Sequence, residues 1–374
     1  MGEWEDGVGA FDEFIGRESV AGLRAVLVRA RPERDWATLD TVHESLPGNA
    51  LKARSDLVAA ALATDLDGDY RSAADVFRRA LSDPDFRGWP LWPVTESAVT
   101  LALAEGSTTA FDDALELLSE LTHRLTSEFA IRRLLAADLD RALVAVRAWT
   151  SSPDEHVRRL ASEGTRPYLP WAVRVPGLLT RSRDLVPVLE SLRDDGSDYV
   201  RRSVANHLND IARHDPALVV ETLDDWANDA DAPPTRSWVV RHALRSLVKK
   251  GDQGALAILG FRAQSVTVSP PVLSAETLTV PDRLSITIDV RNDGDADARL
   301  VVDYVVGYRK SNGSISPKVF KLTTVSLAPG ETRSVRAVHD FRPLSTRVHH
   351  AGTHWVEAQV NGVRSEATAF ELEL

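Results

Sequence analysis

The chain has 374 residues, 43% apolar and 26% charged, with a formal net charge of −11 and no cysteine. That length accommodates two or three domains with a substantial core, and the composition is that of a globular protein. Disulfides, thiolate zinc sites, iron–sulfur clusters and a cysteine nucleophile are excluded, and no apolar run approaches the roughly eighteen residues of a membrane-spanning helix. The acidic start Met1-Gly-Glu-Trp-Glu-Asp lacks a basic, then apolar, leader pattern, and Asp6 spoils the myristoylation pattern suggested by Gly2. A cytoplasmic protein without a membrane partner is expected. The net charge argues against nucleic acid on average, because a phosphate-binding surface must be positive. Two stretches reverse that balance locally: residues 156–174 carry four arginines against Glu163, and residues 236–252 carry Arg236, Arg241, Arg245, Lys249 and Lys250 against Asp252.

In chain order, residues 1–262 read as helix after helix. Apolar positions recur at three- and four-residue spacing, as in Leu51, Leu57, Val58, Ala61 and Leu62, and breakers such as Leu46-Pro-Gly-Asn, Ser82-Asp-Pro, Ser151-Ser-Pro-Asp and His214-Asp-Pro separate the segments. The run from His156 to Arg174 places Arg158, Arg159, Arg166 and Arg174 with Glu163 and Trp171 on a helix that breaks at two prolines. Such a mixture suits a surface that holds phosphates while presenting one acid and one flat apolar group between them.

Val157-Arg-Arg-Leu-Ala is repeated as Val200-Arg-Arg-Ser-Val-Ala and Val240-Arg-His-Ala-Leu, at offsets of 43 and 40 residues. A period of roughly 40–47 residues per helix pair is that of HEAT-like repeats, which stack into a solenoid with a concave binding face. On that reading Arg158 and Arg159, Arg201 and Arg202, and Arg241 line up along one side; the alternative is that each arginine pairs with the acidic turn of a neighbouring repeat. Arg241, Arg245 and Lys249 fall at i, i+4 and i+8 on one helical face, the arrangement a phosphate track requires.

From residue 263 the character changes to period-two alternation, in Leu284–Val290, Leu300–Tyr308, Lys318–Leu322 and Trp355–Val360. Turn sequences lie between them at Asn292-Asp-Gly-Asp, Asn312-Gly, Pro329-Gly and Asn361-Gly. Six or seven short strands predict an immunoglobulin-like sandwich over 263–374, after an all-α HEAT-like-repeat domain over 1–262. His349-His-Ala-Gly-Thr-His354 sits at a strand–turn boundary, and no metal site is expected there.

Four segments carry a resemblance beyond these patterns: Ser127-Glu-Phe-Ala-Ile-Arg132, His156 to Ala172, Tyr199 to Asp210, and Arg241-His-Ala-Leu-Arg245 with Lys249-Lys-Gly251. In order and spacing they resemble the AlkC/AlkD superfamily of HEAT-like DNA glycosylases, and AlkC in particular. Asp303-Tyr, Ser316-Pro-Lys-Val-Phe-Lys-Leu and Gly352-Thr-His resemble the extra immunoglobulin-like domain of one AlkC subgroup. The likeness covers most of residues 90–374. It departs from the family pattern at Arg133-Leu-Leu, where Pro and Phe are expected, and at Tyr168, where a basic residue is common.

The resemblance implies a monofunctional DNA glycosylase that removes cationic alkylated bases from double-stranded DNA, without a cofactor, as a monomer and without full base flipping. It places catalytic carboxylates at Glu128, Glu163 and Asp210 and a substrate-contacting aromatic at Trp171, with phosphate contacts from Arg158, Arg159, Arg166, Arg201, Arg202, Arg241, Arg245 and Lys249. The chemistry fits these residue types. A base alkylated on a ring nitrogen is already cationic and leaves without protonation, so what the reaction needs is negative charge near an oxocarbenium-like sugar and a base for water. Plainer roles exist for each residue: Glu163 paired with Arg159, Asp210 paired with Arg213, Glu128 in the first turn of a helix, Trp171 in packing. A non-catalytic DNA-structure binder and a protein-interaction scaffold are the alternative readings of the whole chain.

Overall fold

The computed structural model describes residues 11–261, 265–343 and 348–374. The boundary expected at 262/263, Trp4 and the acidic start lie outside the described residues. Among these, fifteen α-helices precede ten β-strands, the class expected from the sequence. The contacts divide into two compact units, one reaching Asp215 and adding Pro233–Val239, the other comprising Pro216–Ala232 and Val240–Leu374.

In the first unit the helices start where short polar side chains stand before an apolar-periodic run. Asp69, Ser107, Asp138 and Asp154 each accept a hydrogen bond from a first-turn amide as N-caps. Helix Asp198–Ile211 buries Val200, Ser203, Val204, His207, Leu208 and Ile211, a stripe at helical spacing. Val157 and Val200, equivalent in the repeat, are both buried. Helix Glu155–Glu163 stops at Gly164, where a side chain has no room: a Cβ would meet Ile131 Cγ2 at 2.9 Å and the Leu160 carbonyl at 3.0 Å. That close approach seats the end of the helix, and with it Glu163, against helix Ile131–Ala137.

Neighbouring repeats are joined through the acidic turn between them. Arg158 donates to both carboxylate oxygens of Asp195 at 2.6 and 3.0 Å, and Arg201 donates to the Asp195 carbonyl. The Asp195 side chain is 6% exposed and that of Arg158 19%. Breaking a pair so well covered leaves one charge uncompensated.

The second unit holds helix Pro216–Asn228, most of helix Arg236–Lys250, helix Gln253–Ile258 and the strands. The strands are β1 (Val266–Val268), β2 (Val272–Leu273), β3 (Thr277–Thr279), β4 (Arg283–Asn292), β5 (Ala298–Arg309), β6 (Ile315–Leu327), β7 (Thr332–Asp340), β8 (Gly352–Val360), β9 (Val363–Arg364) and β10 (Thr368–Glu373). One sheet runs β1-β4-β2 with β7 also on β4; the other runs β3-β10-β8-β5-β6 with β9 on β8. Leu284, Ile286 and Ile288 of β4 share one core with Leu300, Val302 and Val306 of β5. The long strands and their turns lie where alternation placed them. Strands of two or three residues are too short to show a period, which is why ten are found where six or seven were expected. Gly251 and Gly362, both at positive φ, touch so closely that a Cβ on Gly362 would lie 2.3 Å from Gly251 Cα.

Replacing Asp195 by Ala is expected to lower the unfolding free energy by about 2–3 kcal/mol, whereas Arg202→Ala, at a guanidinium 59% exposed, stays within about 0.5 kcal/mol of wild type. Urea denaturation of the two variants checks this.

Candidate active site

Three carboxylates from three separate segments meet in one row. Glu128 lies in the turn before helix Ile131–Ala137, Glu163 ends helix Glu155–Glu163, and Asp210 lies in the last turn of helix Asp198–Ile211. Two guanidiniums interleave with them. Arg159 bonds Glu128 Oε2 and lies 3.4 Å from Glu163 Oε1; Arg166 donates to Glu163 Oε1 at 2.6 Å and, through Nε, to Asp210 Oδ2 at 2.9 Å. The order is Glu128–Arg159–Glu163–Arg166–Asp210, three formal negative charges against two positive.

Hydroxyls complete the row. Thr126 donates to Glu128 at 2.8 Å, and Ser203 donates to Glu163 Oε2 at 2.6 Å. Both oxygens of Glu163 are therefore engaged, while among the described residues Asp210 is held through Oδ2. The three carboxylates are 6–8% exposed, at the edge of solvent. Burial pushes the Glu128 carboxyl above its ordinary range, the Glu163 charge adds to this, and Arg159 opposes it. The guanidinium of Arg159 also lies 5.1 Å over the ring of Tyr199.

Two buried groups hold the elements in place. His207 is fully buried and donates from Nδ1 to the Ser162 carbonyl at 2.9 Å, tying the helix of Asp210 to that of Glu163. Burial drives its pKa down to about 3, so it is a neutral strut. Arg132, also fully buried, reaches across the loop after Glu163 and donates to the carbonyls of Gly164, Arg166 and Val173 at 3.2, 2.9 and 2.5 Å. That loop carries Arg166, Tyr168 and Trp171. Trp171 adopts φ +60°, costly for a residue with a Cβ by about 1–3 kcal/mol, and its side chain is presented to solvent, 67% exposed. Phe11 stands beside it, ring centroids 6.4 Å apart.

With this geometry in hand, comparison with known proteins is specific. Residues 111–247 match the model of the DNA alkylation repair enzyme family, and residues 267–374 match the C-terminal Ig-like domain of the uncharacterised protein YhaZ. The uncharacterised protein YhaZ of Bacillus subtilis is 33% identical over 336 residues, 89% of this chain and 91% of that protein. The structure of the Pseudomonas fluorescens alkylpurine DNA glycosylase AlkC, bound to DNA containing an abasic site analogue, superposes with a TM-score of 0.83 at 31% identity, covering 98% of this chain and 100% of the other. The chain belongs to the AlkC-type DNA alkylation repair family.

Within this AlkC-type chain the residues singled out in the sequence fall into distinct groups. Glu128, Glu163, Asp210, Arg159 and Arg166 are brought together. Trp171 is on the loop that follows Glu163, outside the packed interior. Arg158 and Arg201 are turned to Asp195, while Arg202 is exposed, paired with Asp198 and 5.7 Å from the ring of Trp238. Arg241, Arg245 and Lys249 are exposed on helix Arg236–Lys250. Asp210 pairs with Arg166, not with Arg213, and Ser127 spends its hydroxyl on the Leu118 carbonyl while Glu128 turns to Arg159. His349 and His354 donate to the carbonyls of Arg342 and Gly352.

Sequence reasoning passed over Arg132, Ser203 and His207. A signal existed: all three lie inside the motifs quoted for the resemblance. Replacing Arg132 by Met removes the donor to three carbonyls, and a loss of about 3–5 kcal/mol is expected. Urea unfolding, with limited proteolysis between residues 164 and 173, measures it.

Proposed function

We propose that this protein is a monofunctional DNA glycosylase that hydrolyses the N-glycosidic bond of cationic alkylated bases in double-stranded DNA, 3-methyladenine first, with 3-methylcytosine and 1-methyladenine as further substrates. The observation that carries this reading is the row of three carboxylates interleaved with two guanidiniums, which keeps one net negative charge beside solvent. The family likeness, and the likeness to a glycosylase bound to abasic DNA, support this reading.

In the proposed reaction the C1′–N bond breaks with its electron pair going to the base, which leaves neutral. The sugar becomes an oxocarbenium ion. Glu163, fixed through both oxygens, lowers the energy of that cation by charge. Asp210, with Oδ1 not engaged in the row, receives the proton of a water whose oxygen bonds C1′, and the product is an abasic site. Trp171 offers its π-face to the cationic base or the sugar edge. Carboxylates at the rim of solvent act on a sugar brought to them, which supports excision without full flipping. Arg159 and Arg166 stand within the row, and Arg202, Arg241, Arg245 and Lys249 are exposed cations for phosphates. Arg158 and Arg201 reach DNA only by leaving Asp195. The protein acts as a monomer in the cytoplasm, on nucleoid DNA.

Single-turnover release of free base from methylated duplex tests this. Glu163→Gln and Asp210→Asn are each expected to slow release by about a hundredfold or more, with duplex binding retained. Release unchanged in both variants, or absent in wild type, rejects the reading. The raised pKa of Glu128 adds a pH dependence. Its carboxylate takes up a proton at a higher pH than an ordinary glutamate, so release falls on acidification with an apparent pKa above 4.5. Glu128→Gln, locked in the neutral state, loses that limb of the pH–rate profile.

A further inference from the structure

Beside the carboxylate row stands a second cluster that the proposed chemistry leaves unused. Tyr168, half-buried on the loop held by Arg132, has two guanidiniums over its ring: Arg213 at 4.0 Å and Arg174 at 4.8 Å from the centroid. The imidazole of His214 lies 5.6 Å from the same ring, tilted by 59°. Both arginines are exposed, and among the described residues neither forms an ion pair with a carboxylate. Arg174 donates only to the Pro167 carbonyl, at 3.1 Å. This contrasts with Arg158, Arg159, Arg166, Arg181, Arg201 and Arg202 of the same unit, all of which have acidic partners.

Two like charges gathered on one ring repel each other, and the ring's quadrupole offsets only part of that repulsion. Arg213 follows Asp210 by three residues, and its amide donates to the Asp210 carbonyl at 3.1 Å, so the pair stands next to the end of the row. We infer that Arg174 and Arg213, held on the Tyr168 ring, form a binding site for the backbone phosphate adjoining the nucleotide under attack. The inference rests on the proposed glycosylase reading and specifies how its substrate is gripped. A phosphodiester fits because its two non-bridging oxygens can each accept from one guanidinium, and in DNA it adjoins the sugar on which Asp210 acts. It also gives Tyr168 a function at a position where a basic residue is common in the family: the ring supplies no charge itself but assembles two.

Equilibrium binding of the full chain to a short duplex with a tetrahydrofuran abasic-site analogue, repeated over a range of salt, decides this. The double variant Arg174→Ala/Arg213→Ala is expected to reduce the slope of log K against log salt by about 0.9, the share of one phosphate, and each single variant by part of that. Tyr168→Phe, which keeps the ring, binds like wild type, whereas Tyr168→Leu binds more weakly. A wild-type slope in the double variant, with melting temperature unchanged, overturns the assignment, as does equal binding by Tyr168→Phe and Tyr168→Leu. Thermal stabilisation by inorganic phosphate that disappears in Arg213→Ala, with the DNA slope unaltered, assigns the pair to a free phosphate and likewise overturns it. Base release measured in parallel keeps the two ideas apart. Reduced slopes without release by wild type reject the glycosylase alone; release with unchanged slopes rejects the phosphate site alone; absence of duplex binding by wild type rejects both.

Discussion

Everything in the first unit turns on placing three carboxylates side by side at the edge of a protein interior. Alone, Glu128, Glu163 and Asp210 would repel one another and lose hydration, and they would take up protons instead of remaining charged. Arg159 and Arg166 make the cluster tolerable by standing between them. The arrangement requires three segments some 35 and 47 residues apart to arrive together. The repeat delivers two of them on equivalent helices, and Gly164, His207 and Arg132 fix how closely those helices and the loop between them approach.

The same constraint explains why the row is incompletely neutralised. A third guanidinium pointing into it would cancel the charge that a cationic sugar needs. Arg132, buried in the same unit, is directed instead at three carbonyls, where it supports the loop. Hydroxyls from Thr126 and Ser203 add hydrogen bonds to Glu128 and Glu163 without altering the charge balance. What results is a fixed negative site with an exposed aromatic on the adjoining loop. No step of the proposed reaction requires a group that protonates the leaving base.

Much of this was legible in the residues. Helical periodicity, the 43-residue offset and the proline-containing breakers marked the helices, and the Asn-Gly and Pro-Gly turns marked the long strands. The fate of individual arginines was not legible. Val157-Arg-Arg and Val200-Arg-Arg read alike, yet Arg158 and Arg201 turn to Asp195, Arg159 joins the carboxylates and Arg202 stays exposed. Local sequence sets which way a side chain leaves its helix; the partner it meets depends on the neighbouring repeat. For the same reason Arg166, from a loop, takes Asp210 in place of Arg213, which is three residues from Asp210 in sequence. The very short strands escaped because two or three residues carry no period.

The most direct measurement compares single-turnover release of 3-methyladenine with that of its neutral isostere 3-deaza-3-methyladenine, each at the same position of one duplex. The two bases have the same shape and differ in charge. A site that acts by negative charge alone releases the cationic base and gives no acceleration with the neutral one. Comparable acceleration of both would mean that a proton donor assists the leaving base, and would contradict the role given to the carboxylate row.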